Sequence, residues 1–254
     1  MLFDIVIPLG PNDVDIIEKQ IQYTKKNIIG FRNIYIVTYN TNIQIDGCIT
    51  IDENIFQFKE FIKNYFAQYN GKNNRNGWYF QQLIKLYAGK FIENILDNYL
   101  IVDADVFFLK PTQFIENNKP IFTVGDEHHI PYFKHMNILH NSFQKYCQNS
   151  GITHHMMFNK YYLNEMFKLV EDLHSKPFWQ VFILSVDEHT KHALSANESG
   201  ASEYELYFNY MYAYHINDII VRKLTWTTER RKTINIYSHD LNKLQMDFIS
   251  LCHY

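Results

Sequence analysis

Asp103-Ala104-Asp105 is the part of this sequence best equipped for chemistry. The apolar run Leu100-Ile101-Val102 leads directly into it, and a second run, Val106-Phe107-Phe108-Leu109, follows at once. The first run is short, continuous and rich in branched residues, so it reads as a buried strand. Carboxylates cannot continue into such an interior unpaired, because burying a lone charge is very costly. Both acids therefore belong at the strand's carboxyl end, where open α/β sheets hold their ligands. Two carboxylates at i and i+2 can reach one hard divalent cation whose shell is completed by a ligand's oxygens. Ala104 leaves room for something to approach the backbone closely. The alternative is a strand-end turn carrying two solvated acids.

Other groups with chemical potential lie on either side. Trp78, Gln81, Gln82 and Lys85 recur at i, i+3, i+4 and i+7 of a helix expected over 77–88, so they share one polar stripe. That stripe either faces solvent or lines a pocket for hydroxyls and phosphates, with Lys85 as the anion contact. Downstream, Ser202 can cap a helix with Glu205 three residues on, a capping box. Glu203 then sits at the helix's first position with its carboxylate free, where it could act as a general base. Thr153-His154-His155 forms a loop that either lines an acceptor pocket or displays surface histidines. In Asp126-Glu127-His128-His129 an extended chain sends the two histidines to opposite sides, which argues against one shared ion. Glu229-Arg230-Arg231-Lys232 reads as a solvated turn. His239, between an expected strand (234–237) and a last helix capped by Asp240, is the candidate late metal ligand.

These groups need a scaffold. Phe3-Asp4-Ile5-Val6-Ile7-Pro8-Leu9 reads as a buried strand stopped by Pro8, Gly10 and Pro11. Asn12 or Asp13 can cap a helix over 14–27, whose apolar face is Ile16, Ile17 and Ile21. Strands are expected at 33–38 and 49–52, a helix at 56–69, strands at 120–125 and 219–226, and a helix at 161–173. Strands alternating with helices at this spacing imply a parallel α/β sheet. Gly10 stands alone, so the first loop is no dinucleotide fingerprint, and no phosphate-cradling Gly-Lys-Ser/Thr loop occurs. The polar stretch 68–77 reads as a loop and a candidate flap.

The chain has 254 residues, enough for one large domain with a substantial core. Its net charge of -3 argues against nucleic-acid binding through bulk electrostatics. No apolar run is long enough to span a membrane. The opening Met1-Leu2-Phe3-Asp4 lacks a basic leader, so a secretory signal is not expected. Cys48, Cys147 and Cys252 are odd in number and widely spaced, which fits a reducing compartment. Asn197-Glu198-Ser199 then matches a glycosylation sequon by chance. The abundance of Ile, Asn, Lys, Tyr and Phe suits an AT-rich genome, and the expected location is bacterial or virus-infected host cytoplasm.

In their order along the chain, these features resemble a GT-A-type nucleotide-diphospho-sugar transferase. The resemblance is carried by Ile5-Val6-Ile7-Pro8-Leu9, the Trp78/Gln81/Gln82/Lys85 stripe, Leu100 to Phe108 with its Asp-x-Asp, Gly151 to Met156, Ser202-Glu203-Tyr204-Glu205-Leu206-Tyr207 and His239. It spans roughly residues 3–240. It implies a single α/β domain over 1–254 with a GT-A-like, Rossmann-type mixed, mostly parallel sheet flanked by helices. Residues 1–125 would form the nucleotide-sugar-binding half and 126–254 the acceptor-side half. It further implies Mn²⁺ or Mg²⁺ on Asp103, Asp105 and His239. The donor, expected to be a UDP-sugar, would lie along Pro8, Leu9, Asn12, Trp78, Gln81, Gln82, Lys85, Asp103, Ala104 and Asp105. A hydroxyl acceptor on a glycan, protein or lipid would meet His154 and His155, with Glu203 or Glu205 as base. The usual downstream Gly-x-Lys pattern is missing. A sugar-nucleotidyltransferase would need a Gly-rich basic first loop, which 8–13 lacks. A non-catalytic nucleotide-sugar-binding protein is the other alternative.

Overall fold

The computed structural model describes residues 1–68, 75–186, 199–232 and 241–253. Its centre is β1 (Phe3–Leu9), every residue of which is buried. Next come α1 (Ile17–Asn27), the short β2 (Ile28–Ile29), β3 (Phe31–Thr38) and β4 (Ile49–Asp52). Two helices, α2 (Lys59–Phe66) and α3 (Asn76–Phe91), lead to β5 (Asn98–Val102). β1 pairs in parallel with β3 on one side and β5 on the other, and β3 pairs in parallel with β4. The carboxyl ends of these strands, Leu9, Thr38, Asp52 and Val102, therefore share one edge, the ligand edge of an open α/β sheet.

After the acid pair come β6 (Val106–Phe108), the short β7 (Thr112–Gln113) and β8 (Ile115–Glu116), and β9 (Lys119–Thr123). α4 (Ile130–Leu139) follows, then β10 (His155–Asn159), which closes the main sheet antiparallel to β5. The sheet order is β10-β5-β1-β3-β4, so the sheet is mixed and mostly parallel. α5 (Lys160–His174), α6 (Phe178–Leu184) and α7 (Glu203–Tyr214) complete the helices. β11 (Ile220–Arg222) adds to β9, while β12 (Trp226–Arg230) and β13 (Phe248–Cys252) build a second small sheet on β6.

That second sheet fixes the acid turn. β13 runs antiparallel to β6, and Leu251 N donates to Asp105 O at 2.9 Å. From the other side α1 turns polar side chains inward: Gln20 Nε2 donates to Val106 O at 3.0 Å and Asn27 Nδ2 to Phe108 O at 2.5 Å. Asp103 N donates to His154 O at 3.0 Å. The turn between β5 and β6 is thus held by three elements distant in sequence.

Several elements differ from the sequence expectation. Residues 155–159, read as part of a loop, form an edge strand. The single strand expected over 219–226 breaks into β11 and β12. The expected last helix is instead a 3-10 turn at Leu241–Lys243 followed by β13. α4 and α6 were not anticipated. Pro131 occupies the first turn of α4, where no amide partner is lost.

At the opposite edge of the sheet, Asp4 is fully buried and accepts from Arg32 (3.0 and 2.7 Å), Asn33 N (3.1 Å) and Leu96 N (2.8 Å). Asp4→Ala returns the exposed guanidinium to water but strands two backbone amides. The expected loss is about 1–3 kcal/mol, read as a fall in the urea unfolding midpoint at unchanged m-value. An unchanged midpoint would remove this anchor from the account of the fold.

Candidate functional site

The two acids of the turn have opposite surroundings. Asp103 Oδ1 accepts from Lys85 Nζ at 2.6 Å and from Tyr204 OH at 2.9 Å, and its Oδ2 lies 3.5 Å from His154 Nδ1. Burial alone would raise its pKa, but the Lys85 ammonium and His154 outweigh burial and hold the carboxyl well below its ordinary value. Asp105 receives no side-chain hydrogen bond or ion pair among the described residues. Burial, with Asp103 and Asp13 nearby, pushes its carboxyl up to about 6 against the opposing pull of His154 and Arg231. One acid is satisfied by the protein and the other is left for something else.

Lys85 is the reason. It projects from the buried side of α3, only 4% exposed, between Asp103 and Glu203 Oε1 at 2.7 Å, with its ammonium 4.4 Å from the Tyr204 ring centre. Desolvation works against its charge, and the two carboxylates more than restore it. Burial raises Glu203, with Lys85 opposing. The sequence placed Lys85 on the donor and left Glu203 free; both are instead tied into one buried ionic cluster, because the stripe that starts at the rim descends into the core along α3. Gln82 is buried as well and donates to Ala201 O at 3.0 Å. Ala104 is buried, so its small side chain fits the packed turn.

The start of the stripe behaves differently. Trp78 and Gln81 line a cavity of about 810 Å³ together with Pro8 and Leu9 at the end of β1, Asn12 and Asp13 from the loop after it, and Tyr39, Glu53, Lys59 and Arg75 from the neighbouring strand ends and helices. Its size suits a nucleotide-sized ligand. Trp78 is exposed and stacks against the Arg75 guanidinium at 5.0 Å. Asp13 lines the cavity and feels the charge of Asp103, whereas Gln82, Lys85, Asp103, Ala104 and Asp105, also expected along the donor, are not among the residues that line it. Arg231, read as part of a solvated turn, holds this loop from the C-terminal sheet. It bonds the Asp13 carboxylate and donates to Asn12 O at 2.5 Å, and it lies 3.2 Å from Asp15. The sequence reading missed both Asp13 and Arg231. The only local signal was an acid two residues after Pro11, in the turn that follows β1.

On the far side of the turn the two histidines part. His154 has a positive φ of 62°, which turns its ring towards Asp103 and edge-on to Trp226 at 5.4 Å. His155 points into the core among Phe108, Phe114 and Phe248, and bonds Thr123 Oγ1 at 2.9 Å. Burial pushes it down to about 3, so it is neutral and faces no acceptor. Ser202 caps α7 as expected, accepting from Glu205 N at 3.2 Å. The reciprocal half of the capping box is absent. Glu205, 1% exposed, accepts from Lys145 (2.6 Å), Ser150 Oγ (2.6 Å), Gly151 N (3.1 Å) and Asn209 (3.0 Å). All its lone pairs are taken, so it is no base; it fastens the 145–151 loop to α7. A Cβ on Gly151 would come within 2.4 Å of Phe208 Cβ, so only glycine permits that approach. His239, Asp240, the strand expected over 234–237 and residues 69–74 of the flap expected over 68–77 lie outside the described residues; the end of that stretch, from Asn76, already belongs to α3.

A sequence profile matches residues 15–240, most of the chain, and it describes a family of unknown function (DUF6492). The chain belongs to that family. No curated protein matches the sequence. Among solved structures, mouse xyloside xylosyltransferase 1 in its apo form is similar at 10% identity and a TM-score of 0.47, covering 98% of this chain and 97% of that one. An active-site mutant of LgtC is similar at 10% identity and a TM-score of 0.45, covering 98% of this chain and 87% of that one. No helix among the described residues is long and apolar enough to cross a membrane.

The acid turn would offer a hard divalent cation oxygen ligands only. Its ligands would be carboxylate oxygens, and Asp105 is left without a donor of its own. No three His, Cys, Asp or Glu side chains among the described residues converge on one point. The protein would then supply the Asp105 carboxylate and at most the Oδ2 of Asp103, which lies 3.5 Å from His154 Nδ1, with phosphate oxygens and water completing the shell, as Mg²⁺ and similar ions prefer.

Proposed function

We propose that this protein is a divalent-cation-dependent glycosyltransferase that moves a sugar from a nucleoside-diphosphate donor, a UDP-sugar in the first instance, to a hydroxyl on a glycan, protein or lipid. The observation that supports this most is the Asp105 carboxylate at a strand end, which has no side-chain partner among the described residues and feels the charge of Asp13, a lining residue of the large cavity that Trp78, Arg75 and Lys59 also line. Trp78 offers a flat face for a base, and Arg75 offers charge to phosphates, while Lys59 is paired with Glu53 at 2.5 Å. Asp105 and Asp103 would hold Mn²⁺ or Mg²⁺, which when bound supplies Lewis-acid stabilisation of the departing diphosphate. The protein's own part is to hold Asp103 immobile through Lys85 and Tyr204 and to keep the loop after β1 in place through Arg231, so that the site is preorganised.

The test is a thermal-shift series with UDP, GDP and dTDP, each with and without Mn²⁺, followed by mass spectrometry on a panel of nucleotide-sugars. One nucleotide at about a hundred times its Kd should raise the melting temperature by roughly 5–10 °C only when the metal is present. A matching sugar donor should be slowly hydrolysed. Absence of any metal-dependent shift would remove the metal-dependent donor reading, and a shift without turnover of any donor would leave a binding protein in its place.

A further inference from the structure

The charges that line the cavity cancel in pairs, with one exception. Of its two acids, Asp13 is bonded by Arg231, and Glu53 is paired with Lys59 at 2.5 Å. Arg75 is left over. Among the described residues no carboxylate forms an ion pair with it. A cavity of about 810 Å³ with one uncompensated guanidinium in its wall suits a ligand that carries negative charge.

Arg75 is engaged in another way. It directly precedes α3, one helical turn before Trp78, and its guanidinium carbon lies 5.0 Å from the centre of the Trp78 ring. A guanidinium settles on an aromatic face through its charge and its flat shape. At an exposed ring such a stack is worth a factor of about two to five in an equilibrium constant. Trp78 is exposed and lines the same cavity. A base that stacks on this ring from the cavity has to take the place of the guanidinium. Tyr39, the other exposed aromatic ring of the cavity, has no cation over it among the described residues.

We propose that Arg75 and Trp78 together make the cavity selective for nucleotides over nucleosides: the guanidinium covers the indole until phosphate oxygens draw it off, and the uncovered ring takes the base. This rests on the nucleotide-donor reading above and adds to it what the site rejects. A nucleoside offers Arg75 nothing in exchange for the ring, so it breaks the stack without compensation. A diphosphate offers paired oxygens, which the planar fork of a guanidinium meets in bidentate fashion. The long arginine side chain can make this exchange without any movement of α3. One residue thus works against the first ligand and for the second.

The experiment is calorimetric binding of uridine, UMP and UDP to the full chain, with Mn²⁺ present throughout. The guanosine or thymidine series takes their place if the thermal shifts select that base. Arg75→Ala should bind uridine about two- to fivefold more tightly, the strength of the stack it no longer has to break. It should bind UDP at least about tenfold more weakly, the loss expected for a hydrogen bond between charged groups. Arg75→Lys keeps the charge without the fork and should recover only part of the UDP affinity. Trp78→Leu should weaken both ligands. In Trp78→Leu/Arg75→Ala the tightening of uridine should vanish, because no ring remains to be uncovered. A role in folding alone would lower both affinities together and could not produce opposite signs. The inference is overturned by uridine binding that is unchanged or weaker in Arg75→Ala, by UDP binding that is unchanged there, or by tightening that persists without Trp78. It is also overturned if Tyr39→Ala abolishes uridine binding and Trp78→Leu spares it. If wild type binds UDP and only these signs are wrong, the donor reading stands and this inference falls alone. If wild type binds no nucleotide of any of the three bases, the donor reading falls and takes this inference with it.

Discussion

Asp105→Asn is expected to lower turnover by at least about 10³-fold, the scale on which removing a principal electrostatic element of a transfer site is felt. It should also abolish the Mn²⁺-dependent part of nucleotide-sugar binding. The same variant should unfold, in the absence of metal, at the wild-type temperature or above it. The reason is local: Asp105 carries a carboxylate with no donor, beside the charges of Asp103 and Asp13. An isosteric amide removes that repulsion without opening a cavity. Function and stability then move in opposite directions, as they do where a site is built against the interests of the fold. Asp103→Asn makes the control, since it takes a partner from buried Lys85 and should lose both stability and activity. Unchanged Mn²⁺-dependent binding in Asp105→Asn would sink the metal reading, and a large loss of stability would show that Asp105 is a structural acid after all.

The contrast between the two acids was not legible in the sequence, though their position was. Leu100 to Val102 is a continuous buried run, and its end had to be where charge begins. β1 and β3 are legible for the same reason, and Ser202 is legible as a cap because capping is local. What periodicity cannot report is depth. Trp78 and Lys85 lie on one helical stripe, yet Trp78 is 42% exposed and Lys85 is 4% exposed, because α3 passes from the cavity rim to beneath the acid turn. Partner choice is equally hidden. Asp13 and Arg231 meet across 218 residues of sequence. Glu203 and Lys85, 118 apart, meet only because α7 packs on α3. β10 and β13 escaped because both are short, and β10 is built of His-Met-Met-Phe-Asn without a branched residue. A reading that sees only neighbours in sequence finds the acids and the scaffold, and assigns the wrong ones to be free.

Lys85→Met carries the second large effect, and it tests whether the buried cluster is what leaves Asp105 free for a ligand. Methionine fills much of the same volume but gives Asp103 and Glu203 no positive charge. Removing one member of a buried ionic cluster costs about 3–5 kcal/mol, because the remaining charges are left uncompensated. The variant should therefore melt well below wild type and turn over no donor. Adding Glu203→Gln neutralises the second acid, so Lys85→Met/Glu203→Gln should regain a substantial part of the lost stability; the two sites are in contact, and their effects are not additive. Activity should not return with it. Asp103 would still lack the ammonium that fixes Oδ1, and a carboxylate free to reorient gives up the placement on which the site depends. Thermal unfolding of the four proteins of this cycle gives the coupling energy, and donor hydrolysis measured on the same samples separates placement from stability. If the double variant recovers turnover along with its melting temperature, Lys85 serves the fold alone. If stability returns and turnover does not, the cluster is the support on which Asp103 is aimed.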